Sequence, residues 1–381
     1  MQWIRDPAEL AGHFATPPAR IGLDTEFVRE RTWWPQLALV QLAIERDGET
    51  TILLVDPLVP GMCEALAPVL AAPQVLKVMH SAGEDLVALK HACGVVPAPL
   101  FDTQIAAALS GVGGGVGYQR LVQDTLGVAL AKGETRSDWL RRPLSPAQLE
   151  YAADDVRHLF ALHTHLQSRL QALGREAWLE EDCARMVANA RRDELERWPH
   201  LSLRAAQYFD ADAQLRLLRL LRWRDAYARD NDRPRNWILD NELATALARH
   251  PPTDTAALQE RLDATPKAPR KLAAAIWKAL GTPLPDEAEL PPIRTDEPDK
   301  QTLRKLQDAI AARTAELGLP DGVLASRRWL EPLLESLRSN APWPGPLEGW
   351  RRAQLAPALA TLAPRPPSSR SGAGEVTGPP V

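Results

Sequence analysis

The chain has 381 residues, of which 45% are hydrophobic and 25% charged, and its formal net charge at pH 7 is −4. This length exceeds a single typical core, so we expect two or three domains. No window approaches the roughly 20 apolar residues of a membrane span, and no N-terminal segment joins a basic region to an apolar run, so we expect a cytoplasmic protein without a membrane partner.

Charge distribution and cysteine content narrow the function classes further. Residues 1–165 contain 13 basic and 19 acidic side chains, whereas residues 201–285 contain 14 basic and 10 acidic ones. The first region therefore carries acids suited to cations and the second suits a polyanion, although two solvated faces would give the same counts. The cysteines are three in number, widely spaced and free of any Cys-x-x-Cys pair, which favours reduced thiols over disulfides or a zinc site.

The stretch over 20–27 predicts a strand that carries two acids. Side chains alternate along a strand, so Asp24 and Glu26 share one face and Thr25 points to the other. One interpretation is a pair of solvated acids on an exposed edge. The next two apolar runs instead predict a buried meander, where two acids are costly unless a cation compensates them. Carboxylate oxygens are the ligands that Mg²⁺ and Mn²⁺ prefer.

The first 110 residues predict a mixed α/β sheet flanked by helices. Asp47-Gly48 supplies the turn of a hairpin. An entry helix comes first, and the remaining pattern predicts strands near 20–27, 37–45, 51–56, 75–79 and 100–102, with helices at 62–70 and 84–92 and from 103. Because a meander precedes the strands that alternate with helices, we expect a mixed sheet and not a doubly wound parallel one.

Residues 111–117 read Gly-Val-Gly-Gly-Gly-Val-Gly, but they do not predict a phosphate-binding loop. They follow a helix and not a strand, match G-x-G-x-x-G in no register, and lack the Lys-Ser/Thr of a P-loop. We interpret them as a flexible loop and expect no nucleotide cofactor.

A long helix is predicted to begin at Ser145, with Ser145 as N-cap and Pro146 in the first helical position. It carries Tyr151 and Asp155, which project from one helical face because they are four residues apart. Such a pair is often only a hydrogen-bonded surface pair.

The rest of the chain predicts helices and linkers. Residues 175–200 are charged and helical and read as a connector. Two helical sets follow, one with helices near 211–229, 240–248, 255–262 and 267–280 and one over 299–362. Proline-rich composition predicts a linker at 282–298 and a disordered tail at 363–381.

The order of three short motifs resembles the tyrosine-containing branch of the DEDD superfamily of exonucleases. The motifs are Asp24-Thr-Glu26, His80-Ser-Ala-Gly-Glu-Asp85 and Tyr151-Ala-Ala-Asp-Asp155. Four stretches are similar to the ribonuclease D family in particular, namely 23–30, 100–104, 136–144 and 151–156. The segment 221–240 is similar to a helicase-and-RNase-D C-terminal (HRDC) domain, and the second helical set resembles a further, degenerate one in position.

The resemblance implies a fold and a domain order. A ribonuclease-H-like α/β catalytic domain with its helical connector would occupy 1–200, followed by two all-α HRDC-like domains at 205–285 and 296–362 and the tail at 363–381. The implied activity is 3′→5′ removal of mononucleotides from RNA, typically from the trailing ends of transfer RNA precursors, by a monomer.

The resemblance also implies a set of site residues. Asp24, Glu26, Asp85 and Asp155 would hold two divalent ions, Mg²⁺ or Mn²⁺, and Tyr151 would orient the attacking water. Two metals stabilise the charge on the attacking and leaving oxygens of a phosphodiester.

Further residues are candidates for contact with RNA. Trp139 would stack on a terminal base or be buried in the core. Five arginines would contact phosphates or form a solvated face, namely Arg222, Arg224, Arg229, Arg233 and Arg235.

Two alternatives stay open from the sequence. A DNA-directed or proofreading 3′→5′ exonuclease would use the same acids, because the choice of sugar depends on contacts to the 2′-OH. A non-catalytic RNA-binding scaffold is the other alternative, although the four acids and Tyr151 are all intact.

Overall fold

The computed structural model describes residues 1–131, 133–134, 137–290 and 300–360. These residues form two compact units, one of residues 1–110 and 115–290 and the other of residues 111–114 and 300–360. The predicted disordered tail, 363–381, lies outside the described residues. No helix in the described part of the chain is long and apolar enough to cross a membrane.

The first unit is built on a mixed sheet, as predicted, with six strands among the described residues. In chain order the strands are β1 (Gln2–Ile4), β2 (Arg20–Val28), β3 (Gln36–Arg46), β4 (Glu49–Val55), β5 (Leu76–Met79) and β6 (Leu100–Asp102). Their spatial order is β1-β4-β3-β2-β5-β6, and β3 is antiparallel to β2 and β4 while the other pairs are parallel. The sequence does not predict β1, because three residues are too few to show a period.

Strand β3 lies in the centre of the core. Eight consecutive residues, 37–44, are buried. Because alternate side chains point to opposite faces, both faces of the sheet are covered at this strand.

The turn between β3 and β4 is the predicted one. Arg46 pairs with Glu49, which leaves Asp47 and Gly48 as a two-residue loop. Both have positive φ, 52° and 80°, as a type I′ turn requires, and Gly adopts that conformation without a steric cost.

Eight helices accompany the sheet in the described residues. They are α1 (Pro7–His13), α2 (Met62–Ala71), α3 (Gly83–Cys93), α4 (Thr103–Leu109), α5 (Tyr118–Leu126), α6 (Pro146–Arg157), α7 (Leu159–Leu173) and α8 (Glu176–Arg191). The start of α6 is as predicted: Ser145 and Gln148 form a reciprocal capping box, and Pro146 follows the cap.

The long helix predicted from Ser145 is interrupted, which corrects that prediction. Helix α6 ends before His158, and α7 begins directly after it. The amide of His158 donates to the hydroxyl of Tyr118 at 3.2 Å. A side chain that takes an amide out of the helical ladder breaks the helix at that residue.

The C-terminal part of the first unit is helical. Its helices are α9 (Ala211–Asp230), α10 (Arg235–Ile238), α11 (Asn241–Arg249), α12 (Thr255–Ala264) and α13 (Ala273–Gly281). Helices α9, α11, α12 and α13 pack around a common apolar core. The helix predicted over 267–280 begins only at Ala273. Lys267 has a φ of 61° and Pro269 follows, and neither conformation continues a helix.

The second unit contains the helices α14 (Lys300–Glu316), α15 (Leu330–Ser339) and α16 (Trp350–Leu359). They agree with the predicted helical set over 299–362, whose first residue and last two residues lie outside the described ones.

Candidate active site

Strand β2 places the first two acids near the middle of the sheet. Its pairing with β5 ends at Gly22, two residues before Asp24. Asp24 and Glu26 therefore lie beyond the carboxyl end of β5, at the level where the chain leaves that strand and enters α3. This topology explains why an acid on α3 can approach acids on β2.

That acid is Asp85, in the first turn of α3. Its side chain is buried, and its Oδ1 accepts a hydrogen bond of 2.5 Å from the hydroxyl of Thr25. The alternation rule places Thr25 on the opposite face from Asp24 and Glu26, so sequence reasoning assigned it no part in the site. Its position between two acids is the signal that could have identified it.

Helix α6 contributes the remaining two site residues, Tyr151 and Asp155. Burial raises the pKa of the Tyr151 phenol, and the negative charges of Asp155, Glu26 and Asp24 raise it further. The phenol therefore lies in the negative field of three of the four acids. Tyr151 therefore stays protonated at neutral pH.

All four carboxyl groups have raised pKa values. Burial is the first cause for each: the pKa of Asp24 is raised well above its usual range, that of Glu26 to about 8, and those of Asp85 and Asp155 to about 7. Repulsion from nearby acids raises the pKa values of Asp24, Glu26 and Asp155 further. For Asp85 the hydrogen bond from Thr25 lowers the pKa, while repulsion from Asp102 and Glu84 raises it. Among the described residues, none of the four forms an ion pair with a basic side chain. The cluster thus has an uncompensated demand for positive charge.

Beside the acids, the side-chain amide of Gln41 lacks hydrogen-bond partners among the described residues. It lies directly opposite Asp24 in the β2/β3 pair, and cross-strand partners point to the same face. Its side chain is fully buried, and neither amide atom has a hydrogen-bond partner among the described residues. Buried amides are nearly always paired, so a polar group beside Asp24 would satisfy it.

The donor chemistry fits divalent cations, since carboxylate oxygens are hard ligands. No three His, Cys, Asp or Glu side chains in the described ranges already stand in metal-binding geometry. The case for metal therefore rests on the charge and burial of the donors and not on a preformed cage.

The stability of the metal-free protein should depend on this cluster. Carboxyl groups titrate near pH 4 in an unfolded chain, whereas the pKa of Glu26 in the folded protein is about 8. Between these values the folded state binds more protons, so we expect the free energy of unfolding to fall as the pH rises. Thermal melts in EDTA should show a smaller fall for Glu26→Gln than for wild type. Identical pH profiles for the two proteins would contradict the expectation.

Three residues beside the acids have structural roles. Asp102 caps α4 by accepting from the amides of Gln104 and Ile105, and its other oxygen accepts from Ala82. His80 contacts the hydroxyl of Thr103 at 2.9 Å, and burial lowers the pKa of its imidazole.

The structure places Trp139 in the interior. It is 3% exposed, and its ring lies against that of Tyr151 with 6.1 Å between centroids. This placement agrees with burial in the core, one of the two interpretations that the sequence left open. The ring therefore offers little surface to a nucleobase.

Three of the candidate arginines are engaged within the protein. Arg224 is 3% exposed and pairs with Asp225 at 2.8 Å. The guanidinium of Arg222 pairs with Asp286 at 2.7 and 2.9 Å and donates to the carbonyl of Arg197. Arg235 lies over the ring of Trp33 at 4.8 Å. The window 201–285 also ends just before three acids at 286–289, and with them the balance is 14 basic to 13 acidic residues. The positive excess of this region is therefore small.

The other two arginines are more open. Arg229 donates to the carbonyl of Asp193 at 3.1 Å. Arg233 is exposed and has no side-chain partner among the described residues. Trp237, which sequence reasoning did not single out, lies four residues further on and is 55% exposed.

The helical part of the first unit also holds the loop that leaves β2. Oδ1 of Asp232 accepts from the amides of Trp33 and Trp34, both at 3.0 Å. Trp33 packs against Ala228 and Ile238. The segment that follows Glu26 is therefore anchored by residues some 200 positions away.

Comparison with known families gives two matches. Residues 1–171 match the family described as a 3′–5′ exonuclease. Residues 214–280 match the HRDC domain family. The first match contains all four acids and Tyr151, and the second contains most of α9, all of α10 to α12 and most of α13.

Whole-chain relatives give the same result. The chain is 61% identical to a ribonuclease D of Xanthomonas oryzae pv. oryzae over 93% of this chain and 96% of that protein. It is 38% identical to a ribonuclease D of Pseudomonas paraeruginosa over 94% of this chain and 96% of that protein. The chain is also similar to the crystal structure of Escherichia coli RNase D, which is described as an exoribonuclease involved in structured RNA processing. The match covers 95% of this chain and 98% of that one, with 31% sequence identity and a TM-score of 0.80.

Proposed function

The chain belongs to the ribonuclease D family and is a 3′→5′ exoribonuclease, and on that premise we propose how its residues act. Asp24, Glu26, Asp85 and Asp155 would hold two divalent ions, Mg²⁺ or Mn²⁺. When bound, such ions stabilise the charge on the attacking and leaving oxygens of the scissile phosphodiester. The observation that carries this assignment is that four wholly or partly buried carboxyl groups on β2, α3 and α6 have raised pKa values and no basic partner among the described residues.

Tyr151 has a separate role. Its phenol keeps its proton, because burial and three neighbouring acids raise its pKa. A neutral phenol can donate one hydrogen bond and accept another. We assign it to orienting the attacking water, with its Oη proton retained.

The substrate that we propose is a transfer RNA precursor with a 3′ trailer. The E. coli relative is described as acting in structured RNA processing, which supports this choice. Incubation of a labelled precursor with Mg²⁺ or Mn²⁺ should shorten it from its 3′ end and release 5′-mononucleotides. A matched DNA oligonucleotide tests the DNA-directed alternative, which faster DNA hydrolysis would favour. The non-catalytic scaffold alternative is wrong, because the family is enzymatic.

Other features of the chain complete the proposal. We propose that the second unit is a degenerate HRDC domain and that the domain boundaries are 1–200, 205–285 and 296–362. The protein would act as a monomer in the cytoplasm without a nucleotide cofactor. The free thiols of all three cysteines are compatible with a reducing compartment.

We propose that Arg233 and Trp237 contact RNA from the helical part of the first unit. An exposed indole offers a face on which a base can stack, and such stacking contributes about 1–3 kcal/mol per base. Trp237→Ala should therefore weaken binding of single-stranded RNA by roughly 5- to 150-fold with an unchanged salt dependence. Arg233→Gln should reduce the slope of log K against log salt by about 0.7, because one phosphate contact is lost.

Binding measured across a salt series checks both variants. Tyr208→Ala is the control, since Tyr208 is another aromatic residue of the same helical part and is 77% exposed. An equal loss with Tyr208→Ala, or no loss with Trp237→Ala, would contradict the assignment.

A further inference from the structure

The ring of Tyr151 lies directly on the backbone of Gly133. A Cβ atom on Gly133 would overlap Cδ2 of Tyr151 and would lie 3.1 Å from Cε2 and 3.3 Å from Cγ. Because Gly133 has no positive φ, the backbone conformation does not require glycine there. The requirement comes from the space that the Tyr151 ring occupies.

The same connection between α5 and α6 contacts Tyr151 a second time. Six residues after Gly133, the buried indole of Trp139 packs on the phenol ring at an interplanar angle of 40°. Two points of one chain segment thus confine a single side chain.

Arg142 fixes the position of this segment. Its guanidinium forms a two-pronged pair with Asp56, at 2.8 and 3.0 Å, and donates to the carbonyls of Ala38 at 2.6 Å and Trp139 at 2.7 Å. The Asp56 side chain is only 4% exposed, and bidentate pairs of this kind are both strong and directional. The backbone of Trp139 is therefore tied to β3 and to the end of β4.

We propose that Gly133 and Arg142 are positioning residues that set the side-chain conformation of Tyr151. Gly133 lets the chain lie flat on the phenol ring, and Arg142 holds Trp139 against it, so the Oη atom stays aimed at the acids. This inference rests on the water-orienting role proposed for Tyr151. A misplacement of about 1 Å in a catalytic group can reduce the rate about 100-fold.

Gly133→Ala is the most direct test, because Gly133 is exposed and its substitution removes no contact. We expect kcat on RNA to fall by roughly 10- to 100-fold with an unchanged KM and melting temperature. Gly12→Ala is the matched control, since nothing lies within 4 Å of a Cβ atom at that glycine. Full activity of Gly133→Ala would show that the loop yields and does not hold the ring, which would overturn the proposal.

The second test uses Tyr151→Phe as a background. If Gly133 acts through the Tyr151 hydroxyl, adding Gly133→Ala to Tyr151→Phe should cause no further loss of kcat. Multiplication of the two losses would mean that Gly133 acts elsewhere, and would overturn the inference. Full turnover in Tyr151→Phe alone would instead refute the proposed role of Tyr151, so the two failures are distinguishable.

Arg142→Lys tests the other end of the segment. Lysine keeps the charge but cannot reproduce the fork that binds Asp56 and two carbonyls. We expect a fall in kcat that again disappears in the Tyr151→Phe background, whereas a merely destabilising change would reduce both backgrounds equally. Arg224→Lys is the control, because Arg224 is a buried arginine paired with Asp225 in the helical part.

Discussion

Replacing Asp24 with asparagine is expected to abolish hydrolysis of RNA while leaving the fold intact. One of the four carboxylates proposed to hold the ions would be lost, and an amide is a poor substitute because it carries no charge. In EDTA the variant should melt at the same temperature as wild type or higher. The reason is that desolvation and the charges of the other three acids raise the pKa of Asp24, so its neutralisation removes repulsion.

Added Mn²⁺ should then stabilise wild type more than Asp24→Asn, since an ion that binds only the folded state stabilises it by mass action. Melting curves with EDTA and with a Mn²⁺ series measure this difference. Asp154→Asn is the control: Asp154 is next to Asp155 but is paired with Arg157. That variant should retain turnover. Substantial activity in purified Asp24→Asn protein would refute the assignment of the acids.

Tyr151→Phe is expected to lower turnover by about 10²–10⁴-fold, which is the usual scale for a positioned group in proton transfer. Affinity for RNA should hardly change, because the ring and its contacts with Gly133 and Trp139 remain. Since the phenol is protonated throughout the neutral range, the loss should be similar from about pH 6 to 8. Single-turnover rates at several pH values measure this.

The control removes a hydroxyl from a second tyrosine. The hydroxyl of Tyr118 donates to the carbonyl of Asp154 and accepts from the amide of His158. Tyr118→Phe should cost about 1 kcal/mol of stability, the usual net value of a hydrogen bond, and change turnover little. Unchanged turnover in Tyr151→Phe would reduce Tyr151 to a packing role.

The sequence by itself determined the mixed sheet, and its resemblance to a family predicted which residues form the site. Strand and helix periods place Asp24 with Glu26, and Tyr151 with Asp155, on one face each. The capping box of Ser145 and Gln148 and the hairpin turn at Asp47 and Gly48 likewise depend only on residues a few positions apart. Local geometry is sufficient for such features, so the mixed sheet and the start of α6 were predictable.

Only the tertiary structure decided which residues far apart in the sequence contact one another. The hydroxyl of Tyr118 breaks the helix at His158, forty residues away, and Arg222 pairs with Asp286, which lies beyond the basic region as it is read from sequence. Gly133 is the clearest case, because a glycine gives no sign of the side chain that will occupy its missing Cβ. Each of these contacts depends on the whole chain folding, since no local period relates the two partners.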